Sequence, residues 1–123
     1  MNFYKCDVCK NIIIHVKEEH VPVKCCGNTM KRLEPNTTDA AGEKHVPVIE
    51  QNGRNVLVTV GSVLHPMLDV HYIEWICIET TKGYQIKHLN PNDEPKAEFV
   101  LADGEELISA YEHCNLHGLW QKK

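Results

Sequence analysis

From residue 44 onward, apolar and polar residues alternate in short runs separated by turn signals. Val56, Val58 and Val60 interleave with Leu57 and Thr59, and Ile73, Trp75 and Cys77 interleave with Glu74, Ile76 and Ile78. A period of two places successive side chains on opposite faces of a strand. Strands are therefore predicted over His45–Gln51, Asn55–Gly61, Tyr72–Thr80, Tyr84–Leu89, Ala97–Ala102, Leu107–Cys114 and Leu119–Gln121. Turns fall between them at Asn52-Gly53, Lys82-Gly83, Asn90-Pro91-Asn92-Asp93 and Asp103-Gly104. Helical spacing competes only over Glu105–Glu112. Short strands with turns this frequent predict an all-β chain whose larger part is a seven-stranded antiparallel β-sandwich.

The first 36 residues read differently. A β-branched run, Ile12-Ile13-Ile14-His15-Val16, predicts one strand; Lys17-Glu18-Glu19-His20 is a turn, and Val21-Pro22-Val23-Lys24 a second short strand. A segment this small buries too little apolar surface to fold without a staple. The polar, turn-prone stretch Glu34–Gly42 reads as a linker. Two domains are expected, residues 1–36 and 37–123.

Composition narrows the function classes. The net charge of -4 argues against a nucleic-acid binder, whose footprint is basic. No apolar run approaches the ~20 residues of a membrane span. Met1-Asn2-Phe3-Tyr4-Lys5-Cys6 has no apolar signal core, so a cytoplasmic location is expected. In that reducing setting, six Cys and eight His in 123 residues point to metal ligands or redox groups rather than disulfides.

Four of the Cys fall early. Cys6-x2-Cys9, fifteen residues, then Cys25-Cys26 supply four thiolates, a set that suits zinc or iron in a tetrahedron. Cys25 and Cys26 are adjacent, and neighbouring side chains of an extended segment diverge, so both sulfurs reach one ion only where the backbone bends. These four residues alone leave a structural zinc staple and a one-electron iron centre both open. Later in the chain, His45 follows Glu43-Lys44, His65 and His71 bracket a loop, and Cys114 stands three residues before His117. A soft thiolate with several imidazoles is a transition-metal donor set. Cys77 lies between Ile76 and Ile78 and reads as a small buried hydrophobe, and His113 should point away from Cys114.

The runs Glu43-Lys44-His45-Val46-Pro47-Val48-Ile49-Glu50, Gly61-Ser62-Val63-Leu64-His65-Pro66-Met67, His71-Tyr72-Ile73-Glu74-Trp75-Ile76 and Cys114-Asn115-Leu116-His117-Gly118-Leu119-Trp120 resemble the signatures of desulfoferrodoxin, the two-iron superoxide reductase family. Tyr4-Lys5-Cys6-x2-Cys9 and Cys25-Cys26-Gly27-x2-Met30 look like that family's desulforedoxin-like, rubredoxin-type metal domain. The resemblance implies an immunoglobulin-like sandwich with an iron held by His45, His65, His71 and His117 in a plane and by Cys114 on the axis, and a first iron held by Cys6, Cys9, Cys25 and Cys26. It also implies that His117 binds through Nδ1 and the others through Nε2. The implied reaction is one-electron reduction of superoxide to hydrogen peroxide. Lys44 would attract the anion, and Glu43 would fill the open position after peroxide leaves. A rubredoxin-type electron donor and a homodimer are expected from the same source.

The sequence departs from the family at two turns. Lys10 and Lys17-Glu18-Glu19-His20 stand where many members have Gly, which would adopt positive φ at little cost. Two rivals from other classes are a rubredoxin-like electron carrier, which leaves the five-donor set unexplained, and a zinc-stapled binding module, which metal content would distinguish.

Overall fold

The structure, a computed structural model, describes all residues from Met1 to Lys123 and divides them into two compact units, Met1–Glu34 and Pro35–Lys123. The first is built from very short strands: β1 (Phe3–Lys5), β2 (Ile12–Ile14), β3 (Lys24–Cys25), β4 (Asn28–Thr29) and β5 (Lys31–Arg32). They form a three-stranded sheet in the order β2-β1-β5 and a separate β3-β4 ribbon. Buried apolar residues are few: Phe3, Cys6 and Met30.

The second strand expected over Val21–Lys24 begins only at Lys24. Pro22 has no N–H to give to a ladder, and the segment instead offers the Val23 carbonyl to the Met30 N–H at 2.8 Å. The two turns that lack glycine keep a left-handed backbone nonetheless. Lys10 has φ +69° and His20 φ +57°, a conformation that costs a non-glycine residue roughly 1–2 kcal/mol. Cys26 is also left-handed, at φ +53°, followed by Gly27 at +77°. This is the bend that the adjacent Cys pair requires.

The second unit opens with a one-turn helix, α1 (Gly42–His45), followed by β6 (Pro47–Asn52), β7 (Asn55–Val60), β8 (Ile73–Thr80), β9 (Gly83–His88), β10 (Lys96–Val100), β11 (Leu107–Cys114) and β12 (Gly118–Lys122). Two antiparallel sheets result, β10-β7-β6 and β12-β11-β8-β9. Val56, Val58, Val60, Ala97 and Phe99 of the first sheet and Ile76, Ile78, Ala110 and Cys114 of the second form one buried cluster, as period-two burial on facing sheets requires. Leu107–Cys114 is a strand rather than the competing helix, because β8 and β12 flank it and satisfy both of its edges.

His45 does not open the first strand; it closes α1. Pro47 explains the shift. The residue before proline is driven out of the helical region, and Val46 is accordingly extended at φ -67°, ψ 124°. The α1 backbone rests directly on Gly61. A Cβ there would stand 2.7 Å from the Glu43 carbonyl oxygen and 3.0 Å from that of Val46. The Val63 N–H and Ser62 hydroxyl donate to the same Glu43 oxygen at 2.9 and 3.2 Å. Gly61→Ala is expected to destabilise the protein by about 1–3 kcal/mol and to change the visible spectrum of the metal-loaded protein, because α1 carries His45. Urea unfolding and absorption spectra check both. No helix is long and apolar enough to cross a membrane.

Candidate metal centres

Four loops and strand ends of the second unit converge on one point. His45 arrives on α1, His65 and His71 on the loop after β7, Cys114 at the end of β11, and His117 in the turn to β12. One donor atom of each lies within 4.8 Å of the others. The four imidazoles close a ring: His45–His65 centroids are 4.7 Å apart, His65–His71 4.6 Å, His71–His117 5.1 Å and His117–His45 4.9 Å. Each neighbouring pair meets nearly edge-on, at 76–86°.

The atoms facing inward match a metal. His45 Nε2 and His117 Nδ1 are 3.1 Å apart, and adjacent nitrogens at ~2.1 Å from a common ion stand about 3.0 Å apart. The Cys114 sulfur lies 3.4 Å from His65 Nε2 and 3.9 Å from His117 Nδ1. His71 Nε2 is buried and has no hydrogen-bond partner. A buried acceptor without a donor is costly, and a cation at the centre of the ring satisfies it.

Outer contacts set the tautomers. His45 Nδ1–H donates to the Ala41 carbonyl at 2.8 Å and His65 Nδ1–H to that of Pro66 at 2.6 Å. Each bond leaves the Nε2 lone pair turned inward, the usual way a protein orients a metal-binding imidazole. Trp120 stacks on His45, 4.8 Å between centroids at 26°, and donates its indole N–H to the His117 carbonyl at 3.1 Å.

Burial lowers the pKa of His45 and His71, and takes His65 down to about 4. All three therefore offer neutral imidazole at ordinary pH. The Lys44 charge adds to the lowering at His71 and His45, so its cation acts on that side of the ring. Burial pushes the Cys114 thiol up, while the backbone N–H groups of Leu116 and His117 pull the other way. A metal cation is the counter-charge that a buried thiolate there needs.

In the first unit, Cys6, Cys9, Cys25 and Cys26 gather within the same 4.8 Å limit. Cys9 and Cys25 sulfurs are 3.5 Å apart, and the Cys9 N–H donates to the Cys6 sulfur at 3.5 Å. That N–H leads in drawing the Cys6 thiol down to about 6, whereas Cys25 is pushed up to about 12, chiefly by Cys9. Four sulfurs this close cannot all carry charge unless a cation joins them, so this set also fits a metal. It is the more open of the two, with Cys9 and Cys26 exposed.

All nine donors singled out in the sequence thus fall into two clusters. Glu43 and Lys44 lie on α1 beside His45. His113 turns away, as expected, with Nδ1 2.8 Å from Glu74 Oε1 and its ring stacked on Trp75. Cys77 is fully buried, and burial raises its pKa to about 12. Sequence reasoning missed Glu112, a fully buried carboxyl two residues before Cys114 with no partner at either oxygen. A charged residue on the inward side of an alternating strand was the available signal.

Residues 37–123 match the Desulfoferrodoxin family. The chain belongs to the desulfoferrodoxin family. A desulfoferrodoxin homolog of Archaeoglobus fulgidus is 50% identical over 121 residues, covering 98% of this chain and 95% of the relative. The crystal structure of the superoxide reductase from Treponema pallidum superposes with a TM-score of 0.83 at 38% identity, over 99% of this chain and 98% of that one. The superoxide reductase (1Fe-SOR) from Giardia intestinalis is 33% identical with a TM-score of 0.56, over 65% of this chain and 95% of that one. As a member of this family the chain is an oxidoreductase with an all-β fold, and its two His/Cys clusters support iron binding.

Proposed function

We propose that the chain is a superoxide reductase, turning superoxide, one electron and two protons into hydrogen peroxide without releasing oxygen, and that it binds two irons. Cys6, Cys9, Cys25 and Cys26 of a domain spanning residues 1–36 hold one. His45, His65, His71, His117 and Cys114 of a catalytic domain spanning 37–123 hold the other. The observation that carries this reading is the closed ring of four imidazoles with the Cys114 sulfur against it. Zinc prefers four donors; one sulfur and four nitrogens suit a redox-active ion. Iron held by these five would supply the electron that superoxide takes up.

The chain's own residues bring the anion in and keep the donors aligned. The Pro35–Lys123 unit carries seven Lys and Arg against thirteen Asp and Glu, so its overall field repels an anion. Lys44 opposes that field beside His45 and His71. Its neighbour Glu43, whose backbone carbonyl is held by Val63 and Ser62, closes the site after product leaves. The Ala41 and Pro66 carbonyls hold the protons of His45 and His65 on Nδ1, and Trp120 covers His45 from water. A rubredoxin-type protein as electron donor, a homodimeric state and a cytoplasmic location complete the reading, on the strength of the family resemblance.

Anoxic stopped flow with superoxide tests it. One peroxide per superoxide and no oxygen is the expected result; oxygen release would make the protein a dismutase, and no reaction would end the proposal. Lys44→Ile is expected to slow the bimolecular step roughly 10-fold at low ionic strength and to flatten its salt dependence. An unchanged salt dependence removes Lys44 from substrate attraction.

A further inference from the structure

The segment predicted to be a linker is seated, at Asn36, along an edge strand. β12 lies at the border of the four-stranded sheet and pairs there only with β11. Its other side faces Asn36. The Asn36 N–H donates to the Leu119 carbonyl at 3.1 Å, Asn36 Nδ2 donates to the Gln121 carbonyl at 3.1 Å, and Asn36 Oδ1 accepts from the Gln121 N–H at 2.8 Å. The side-chain amide reproduces the two bonds a paired strand residue would make with Gln121, so one residue serves as a strand. Its φ of +62° turns the backbone N–H and the side chain toward β12 together; asparagine tolerates this left-handed conformation better than most residues.

The two residues it grips flank Trp120. That indole is 4% exposed, stacks on His45 and donates to the His117 carbonyl. Opposite Asn36, the β12 backbone at Trp120 is paired with Glu112 of β11. The strand is therefore clamped from both sides at the residue that touches two members of the imidazole ring. Five residues beyond Asn36 the same segment reaches the ring directly, where the Ala41 carbonyl receives the His45 Nδ1 proton.

We propose that Asn36 is a positioning residue for the five-donor centre: by bonding β12 on both sides of Trp120 it fixes the indole that orients His45 and His117. This rests on the assignment of those histidines as iron ligands. Asn36 acts through Trp120 and touches no reacting atom. Outer contacts of metal ligands are typically worth about 10–100-fold in metal affinity, so the effect should be visible without turnover.

The test uses the iron-loaded full chain. Asn36→Gly keeps the left-handed backbone free of strain and deletes both side-chain bonds. It is expected to shift the visible band of the five-donor centre and to speed iron release to a chelator about 10-fold. Asn36→Asp, which retains the acceptor for the Gln121 N–H, should fall between the variant and wild type. In a Trp120→Phe background, which keeps a ring against His45 but lacks the indole donor to His117, the Asn36→Gly effect should be clearly smaller, because coupled residues are not additive. A wild-type band and release rate in Asn36→Gly, or an undiminished effect in the Trp120→Phe background, overturns the proposal. Since neither readout is turnover, a protein that fails to reduce superoxide would overturn the function proposed above and not this inference.

Discussion

Cys114→Ser is expected to abolish the sulfur-to-iron absorption band of the second centre and to lower the rate of superoxide reduction at least 100-fold, with the absorption of the four-Cys centre unchanged. The change is nearly isosteric, so the fold should survive. Cys114 is fully buried in the core cluster, and its backbone ends a strand paired on both sides. What the variant loses is charge and softness. A serine hydroxyl stays protonated where a cysteine beside a cation ionises, and the Leu116 and His117 N–H groups that favour the thiolate would face a neutral oxygen. Changes outside the ligand shell already cost about 10–100-fold, and a ligand should cost at least the upper end of that range. Four imidazoles would remain, so some metal binding should persist, and metal analysis must accompany the kinetics. A serine variant that kept both band and rate would show that the sulfur is not a donor, leaving the proposed activity without its centre.

The residues of both clusters were legible in the sequence for different reasons. The four-Cys set follows from spacing alone, since Cys6-x2-Cys9 and Cys25-Cys26 lie within one small segment that needs a staple. The five-donor set does not. His45 and His117 are 72 residues apart, yet their inward nitrogens are 3.1 Å apart. Spacing showed Cys and His recurring at turns, and the family motifs supplied the grouping. Strand positions were readable from period-two alternation, while the start of β6 slipped from His45 to Pro47 because a local proline effect outweighed the hydrophobic pattern. The linker was the least legible part. Asn36 looks the same in sequence whether solvated or pinned, and only the register of β12 against β11 reveals that Leu119 and Gln121 have backbone groups to offer. The left-handed turns at Lys10 and His20 show the same limit from the other side: the backbone keeps a glycine-like path although the glycines are gone.

Glu112→Gln is expected to make the protein more stable by about 2–3 kcal/mol near pH 7, an unusual outcome for a substitution in a fully buried position. Glu112 lies on β11 between Ala110 and Cys114 on the side facing the core, with Ile76 and Trp120 as its strand partners. Neither oxygen has a hydrogen-bond partner, and burial alone raises its pKa to about 9 from 4.5. The native state therefore keeps the proton across the neutral range, while the unfolded chain releases it above pH 4.5. Between these two values the unfolded state binds fewer protons, so stability falls as pH rises, by at most about 1.4 kcal/mol per pH unit. By pH 7 the accumulated cost is roughly 3 kcal/mol. Glutamine fills the same space and does not titrate. Its amide leaves buried polar groups that are also unsatisfied, so below pH 4.5 the two proteins should be about equally stable. Urea unfolding at pH 4.5, 6 and 8, with iron content matched, should show the gap widening with pH. A gap that stays constant would mean that Glu112 is charged in the folded protein, compensated by a metal ion bound at Cys114, two residues further along β11.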